Sequence, residues 1–261
     1  MALSDEVINE LIRKLLDAEA TAKPIEALTA QYPDLTEADA RKVNLGILRE
    51  RLRRGEKVIG FKVAFTSRAA QQSFGINRPD WGFLTSGMAV PDGGEIIYDR
   101  LIQPRIEAEI AFLFKDDIRG PGVTVADVLR STEGVLPAIE VVDSRLSGKR
   151  RVEDFIADSS GAAKVVLGGS ITSINGLDLR LIGCVVEING EVIGTSAGAA
   201  ALGNPVNSVV FLANALSGVG EYIRAGHIVI TGSLIAATPV RKGDYVKVTF
   251  DRIGSVSVKF I

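Results

Sequence analysis

The stretch that most restricts how this chain can fold is Ile102-Gln103-Pro104-Arg105-Ile106-Glu107-Ala108-Glu109-Ile110-Ala111-Phe112. Ile102, Ile106, Ala108, Ile110 and Phe112 fall on one parity, and Arg105, Glu107 and Glu109 on the other. Period two is the mark of a half-buried strand. Residues two apart on a strand share a face, roughly 7 Å apart, so Glu107 and Glu109 point the same way with Arg105 before them. Two carboxylates that close repel each other unless a positive group lies between them. A solvated strand face is the plainer account of the pattern. The sharper one is a pair of oxygen ligands for a hard divalent cation.

A third carboxylate favours the sharper account. Glu140 stands alone in the apolar run Val135-Leu136-Pro137-Ala138-Ile139-Glu140-Val141-Val142, and a charge in such a run is rarely buried without a partner. Three carboxylates suit Mg²⁺ or Mn²⁺ better than zinc. With one histidine, His227, and one cysteine, Cys184, a His/Cys zinc cluster and a Cys-His dyad with a backup ligand are implausible.

The 261 residues, 46% hydrophobic and 24% charged, suffice for a real core and argue against disorder. The net charge of -2 and the short basic runs, Arg51-Leu52-Arg53-Arg54 and Lys149-Arg150-Arg151, leave no electrostatic footprint for nucleic acid. No apolar run approaches the roughly 20 residues that span a bilayer. Met1 to Ile12 lacks the apolar core of a signal peptide, and a single cysteine excludes an intrachain disulfide. A cytoplasmic protein is expected.

Along the chain, Val7, Leu11, Leu15 and Leu16 give a helix over Glu6 to Ala20. Thr36 with Asp39 opens a second helix, which ends at Arg53-Arg54-Gly55. Residues 1–56 therefore form a helical N-terminal region, fit for a lid or an oligomer-forming arm, and 57–261 a β-rich catalytic domain. Lys62 falls mid-strand between apolar neighbours, where it is either a snorkelling edge lysine or a site residue. Lys149 to Asp158 is polar and expected to be mobile or interfacial. Beyond Lys164 strands dominate, with a hairpin at Asn189-Gly190 and a helix over Asn204 to Ser217 opened by Pro205. The fold class is α+β.

Gly60-Phe61-Lys62-Val63, Pro104-Arg105-Ile106-Glu107-Ala108-Glu109, Leu136-Pro137-Ala138-Ile139-Glu140, Thr231-Gly232-Ser233 and Gly254-Ser255-Val256 occur in this order. They resemble the hydratase/decarboxylase family of aromatic meta-cleavage pathways, within the fumarylacetoacetate hydrolase superfamily, over nearly the whole chain. The resemblance implies a β-rich mixed sandwich or roll, Mg²⁺ (or Mn²⁺) held by Glu107, Glu109 and Glu140, Lys62 in the active site, and homo-oligomers. Phe83-Leu84 after Gly82, the Val90 to Gly94 turn, Ala197-Gly198-Ala199-Ala200 and Ile235-Ala236-Ala237 look like the decarboxylases. Pro79-Asp80 before an aromatic and a glycine looks like the hydratases. Asp158-Ser159-Ser160 replaces a common Asp-Asn-Ala, which counts against a substrate role for Ser159, and Gly203-Asn204-Pro205 replaces a more usual Gly-His-Pro.

The reading favoured is a metal-dependent lyase acting on a small 2-oxo or 2-hydroxy dienoic acid. Decarboxylation of 2-oxohex-3-enedioate (4-oxalocrotonate) leads. A 2-hydroxypenta-2,4-dienoate or 2-oxohept-3-enedioate hydratase is the alternative, and the rival from outside catalysis is a non-catalytic partner subunit in a complex with a related hydratase or decarboxylase. A cation chelated by the 2-oxo acid serves both reactions as a Lewis acid. Lys62 is a candidate catalytic residue that could hold the substrate's carboxylate, polarise the 2-oxo group or carry a proton, and Asp80 is a candidate acid/base group, with a turn residue after Pro79 the alternative. Arg105, Ser160 and Ser233 are candidate substrate contacts, with an ion pair to Glu107 or Glu109 the alternative for Arg105. Phe83-Leu84 is expected to supply apolar walls beside Asp80, the setting that favours loss of a carboxylate. Hydrolysis of an acylpyruvate would need a base such as a His-Glu pair, and His227 is the only histidine.

Overall fold

The computed structural model describes residues 3–261. An eight-stranded sheet carries most of the long strands. Its order is Asp80–Thr85, Val58–Ala64, Ile228–Ile230, Arg105–Phe114, Thr132–Val142, Ala162–Leu167 and Ala89–Val90, with Thr238–Pro239 added beside Arg105–Phe114. Val58–Ala64 and Ile228–Ile230 run parallel. The pairs at the centre, from Ile228–Ile230 through Arg105–Phe114 and Thr132–Val142 to Ala162–Leu167, are antiparallel. A five-stranded sheet, ordered Glu191–Ala197, Gly183–Ile188, Tyr245–Phe250, Gly254–Phe260 and Gly94–Ile96, packs against it. Tyr245–Phe250 alternates exposed and buried along its length, as expected of a sheet with one face in water.

The two faces of the large sheet have different chemistry. Phe61, Val63, Phe83, Ile106, Ile110, Phe112, Ile139 and Val141 face the main core together with Val246, Val248, Val258 and Phe260 of the smaller sheet. The other parity carries Lys62, Glu107, Glu109 and Glu140, and further along the strands a smaller apolar cluster of Leu84, Ala111, Leu136, Ala138, Ile228 and Ile230. Slipping the Arg105–Phe114 strand by one residue would push the glutamates into the core and turn Ile106, Ile110 and Phe112 out of it. At about 1.5–3 kcal/mol per large side chain, that fixes the register. The strand is half-buried only at its start; beyond Ala108 both parities are buried except Leu113.

The N-terminal helices form as their sequence signals require. Ser4 caps Asp5–Thr21 by accepting from the Val7 N–H, and Thr36 caps Glu37–Arg53 by accepting from the Asp39 N–H. Their apolar faces, with Leu11, Leu15, Val43 and Ile47, close over Leu28 and Leu35 and over Leu146, Ile156 and Ala157 from later in the chain. The helix Pro205–Leu216 is the most apolar. It has 12 residues, short of the roughly 20 that cross a bilayer, and buries Val206, Val209, Leu212 and Leu216 in the main core.

Lys149 to Asp158, expected to be mobile or interfacial, includes the helix Val152–Ala157, in which Asp154 is fully buried. Its carboxylate accepts from the Thr29 N–H at 3.0 Å, the Thr29 hydroxyl at 2.5 Å and the Arg151 N–H at 2.8 Å, which ties this helix to the N-terminal region. Asp154→Ala leaves those donors without a partner, and urea unfolding should register a loss of about 2–4 kcal/mol.

Candidate active site

Strand register assembles the site. Glu107 lies directly opposite Glu140 in the antiparallel pair, and Glu109 opposite Ala138. The three carboxylates offer oxygens that all lie within 4.8 Å of one another. Lys62 reaches them from the far side of Ile228–Ile230, its Nζ 3.2 Å from Glu140 Oε2 and donating to the Ser160 carbonyl at 3.0 Å. Glu109 Oε2 accepts from the Gly232 N–H at 2.6 Å. Gly232 has φ +97°, and a Cβ there would meet Thr66 Oγ1 at 2.1 Å, so only glycine can present that N–H.

Glu109 and Glu140 are fully buried, yet Glu109 Oε1 and Glu140 Oε1 accept no hydrogen bond among the described residues, and Glu140 Oε2 has only the Lys62 ammonium at 3.2 Å. Buried carboxylate oxygens without donors are costly. Burial first, then repulsion from Glu140, pushes Glu107 up to about 7 against the pull of Lys62. Burial and the charges of Glu140 and Glu107 push Glu109 well above the carboxylate range. Burial works against the charge on Lys62, but attraction by Glu140, Glu107 and Glu109 outweighs it and raises its pKa. Converging, donor-starved carboxylate oxygens fit a hard divalent cation.

Of these groups, Lys62 and Glu107 open onto a cavity of about 710 Å³, which Arg105, Ser160 and Ser233 also line. Arg105 is exposed and makes no ion pair among the described residues, so the pairing with Glu107 or Glu109 does not form. Ser233 donates to the Ile235 carbonyl at 2.7 Å. Asp80 is buried behind Ser160. One carboxylate oxygen pairs with Arg41 and the other accepts from Ser160 Oγ at 2.7 Å, so Asp80 meets the cavity only through that hydroxyl. Ser159 is turned away, its Oγ accepting from Asn44 Nδ2.

Phe83 and Leu84 do not wall the cavity. Phe83 packs in the main core against Phe61 and Trp81, with ring centroids at 5.7 and 5.2 Å, and Leu84 lies in the smaller cluster on the other face. The apolar wall is instead Phe65, Phe74 and Phe155, whose ring centroids lie 4.5–5.5 Å apart, with Arg150 stacked on Phe155. Sequence reasoning missed this wall because the three rings come from separate segments without a shared period. His227 sits edge-on to Phe61 at 5.7 Å and does not line the cavity, which removes the His-Glu base that acylpyruvate hydrolysis would need.

Residues 57–261 match the family model described as fumarylacetoacetate (FAA) hydrolase C-terminal. The chain belongs to the fumarylacetoacetate hydrolase family. Within it, the chain is 41% identical over 260 residues to the 4-oxalocrotonate decarboxylase of Pseudomonas sp. (strain CF600), spanning 99% of this chain and 98% of that one. It is 45% identical over 216 residues to a 2-hydroxypent-2,4-dienoate hydratase of Pseudomonas putida, spanning 82% and 97%. The solved structure of 4-oxalocrotonate decarboxylase from Pseudomonas putida G7, complexed with magnesium and adipate, superposes with a TM-score of 0.96 at 39% identity and covers 100% of this chain and 99% of that one.

Proton linkage gives this family member a testable metal site. Without metal, folded Glu107 keeps its proton up to about 7, against 4.5 in the free carboxyl. From this group the metal-free fold loses stability as pH rises across that window. A cation must displace the proton, so its binding runs the other way. Calorimetric titration should find Mn²⁺ bound about ten-fold more weakly at pH 6 than at pH 8. Glu107→Gln should weaken Mn²⁺ binding with the far-UV spectrum unchanged; an unaltered affinity would remove Glu107 from the ligand set.

Proposed function

We propose that this protein is a metal-dependent carbon–carbon lyase that decarboxylates 2-oxohex-3-enedioate (4-oxalocrotonate) to 2-hydroxypenta-2,4-dienoate. The carrying observation is the cluster of three carboxylates beside Lys62, which reaches a cavity with an aromatic wall through Glu107, in a chain that matches 4-oxalocrotonate decarboxylases from end to end. Glu107, Glu109 and Glu140 would hold Mg²⁺ or Mn²⁺, which when bound supplies Lewis acidity to the 2-oxo group.

In the reaction the bond between C5 and the distal carboxylate breaks, carbon dioxide leaves, and the electron pair moves through the conjugated chain to the 2-oxo oxygen, which takes up a proton. Lys62 brings a fixed positive charge to the cavity floor, where negative charge develops. The unpaired guanidinium of Arg105 receives a substrate carboxylate as a planar two-donor fork. Ser160 and Ser233 offer hydroxyls to the substrate's polar atoms, and Phe65, Phe74 and Phe155 shield the departing carboxylate from water.

Hydration of 2-hydroxypenta-2,4-dienoate is the second reading, favoured by the 45% identity to a hydratase. Incubation with Mg²⁺ and each substrate separately, with products identified by mass, decides between them. Carbon dioxide from 2-oxohex-3-enedioate is expected; none, together with hydration of the dienoate, would replace the first reading by the second. Lys62→Ala should lower kcat about 100-fold or more with Mn²⁺ affinity nearly kept, and activity within a few-fold of the parent would make Lys62 structural.

The reading includes a cytoplasmic homo-oligomer. Val192 and Ile193 are exposed on Glu191–Ala197, the edge of the five-stranded sheet, and an apolar edge strand suits association with another copy. Light scattering after size exclusion should give a multiple of the 27.7 kDa chain mass; a single-chain mass would rule assembly out.

A further inference from the structure

The helix Glu37–Arg53 lies outside the residues that match the family model, yet two of its side chains reach under the cavity floor. Arg41 pairs with one oxygen of Asp80, donates to the Trp81 carbonyl at 3.1 Å and to Asn44 Oδ1 at 3.2 Å, and stacks 4.0 Å from the Trp81 ring centroid. Asn44, one turn along, donates to Ser159 Oγ. The other Asp80 oxygen accepts from Ser160 Oγ at 2.7 Å, and the Ser160 carbonyl accepts from Lys62 Nζ at 3.0 Å. A continuous set of polar contacts therefore runs from an N-terminal helix to the ammonium that faces the carboxylates.

The backbone in the middle of that set is a tight turn, closed by the Gly161 N–H donating to the Asp158 carbonyl at 3.0 Å. Ser159 and Ser160 are consecutive left-handed residues, at φ +51° and +50°, a conformation that non-glycine residues keep only where their surroundings impose it. Asn44 grips the first and Asp80 the second. Gly82 backs them from the adjacent strand, where a Cβ would fall 2.5 Å from the Ser159 carbonyl oxygen. Each oxygen of Asp80 has one partner, so loss of Arg41 frees a buried carboxylate to turn and release Ser160.

We propose that Arg41 is a positioning residue: through Asp80 and the left-handed Ser159-Ser160 turn, it sets where the Lys62 ammonium stands relative to Glu140. The inference concerns geometry and rests on the proposed lyase reaction only where turnover is the readout. The competing account is that Arg41 merely fastens the helix to the body. Arg51, near the end of the same helix, provides the control. It fastens the helix through Glu19 and Glu56, at 2.5 and 3.3 Å, and its side chain makes no hydrogen bond to the residues leading to Lys62.

The test compares Arg41→Gln, Arg41→Lys and Arg51→Ala with the parent. The first readout needs no activity: metal-free protein is treated briefly with acetic anhydride, and acetylation of Lys62 is timed by peptide mass spectrometry. Arg41→Gln should label several-fold faster at Lys62, and Arg51→Ala at the parent rate. The second readout is turnover with Mg²⁺. Arg41→Gln should lower kcat on the order of 10- to 100-fold, the scale of a small misplacement in a site, with KM and Mn²⁺ affinity little changed. Arg41→Lys, which keeps the charge and loses the planar fork, should recover part of that loss, and it takes both readouts should Arg41→Gln not fold. Unchanged Lys62 labelling in the Arg41 variants, or equal losses of kcat in Arg41→Gln and Arg51→Ala, would leave Arg41 a fastener and overturn the proposal. A parent inactive on both substrates would end the lyase reading, and the labelling would still decide the role of Arg41.

Discussion

The structure is organised around an electrostatic conflict that its own sheet creates. Antiparallel register sets Glu107 opposite Glu140, and the period of the strand sets Glu109 on the same face. Fully ionised, three carboxylates with one ammonium would leave two negative charges, which one divalent cation would neutralise; without it, burial and repulsion favour protons on Glu107 and Glu109. Placed in water, these charges would interact weakly; under the cavity, with oxygens within 4.8 Å of one another, their repulsion is several times stronger. A protein that needed only stability would fill those positions with apolar side chains. Keeping them therefore marks a candidate cation site.

The same sheet makes that repulsion tolerable. The opposite face of every strand that carries a charged group is packed into the main core. Phe61 and Val63 flank Lys62, Ile106, Ala108 and Ile110 flank the two glutamates, and Ile139 and Val141 flank Glu140. Repulsion cannot be relieved by turning a strand over, because that would bring the core face out to the cavity. The charges are left to be settled by protons, by Lys62 or by a cation, and these are the variables a catalytic site works with.

Much of this was legible in the sequence for a simple reason: a charge that interrupts an apolar pattern stands out. Glu107, Glu109, Glu140 and Lys62 all do so, and the family resemblance rests on the same residues. Legibility ended where the third dimension began. That Glu140 faces Glu107 and not Glu109 depends on a strand pairing that no local pattern encodes. Phe83 follows Gly82 by one position and so points to the face opposite Lys62, a parity argument that proximity in sequence to Asp80 concealed. Asp154 reads as one more charge in a polar stretch because its partner, Thr29, lies 125 residues away. Arg41 gave no signal at all, since an arginine on an amphipathic helix is ordinary until its partner is known.

The even likeness to decarboxylases and hydratases follows from how the site is divided. In the proposed reaction the carboxylates and Lys62 would serve the 2-oxo acid end, which the two substrates share, so the residues most visible in the sequence discriminate least. The difference has to come from the rest of the cavity. Hydration needs water delivered to a conjugated alkene, whereas decarboxylation is helped when a carboxylate loses its hydration shell before it leaves. A wall of Phe65, Phe74 and Phe155 cannot hydrogen-bond to water, and Arg150 lies with its guanidinium over the Phe155 ring. Asp80, a candidate for moving a proton to or from water, is held by Arg41 and Ser160. Both features tilt the chemistry toward losing carbon dioxide, and both are set by residues outside the metal-binding motif.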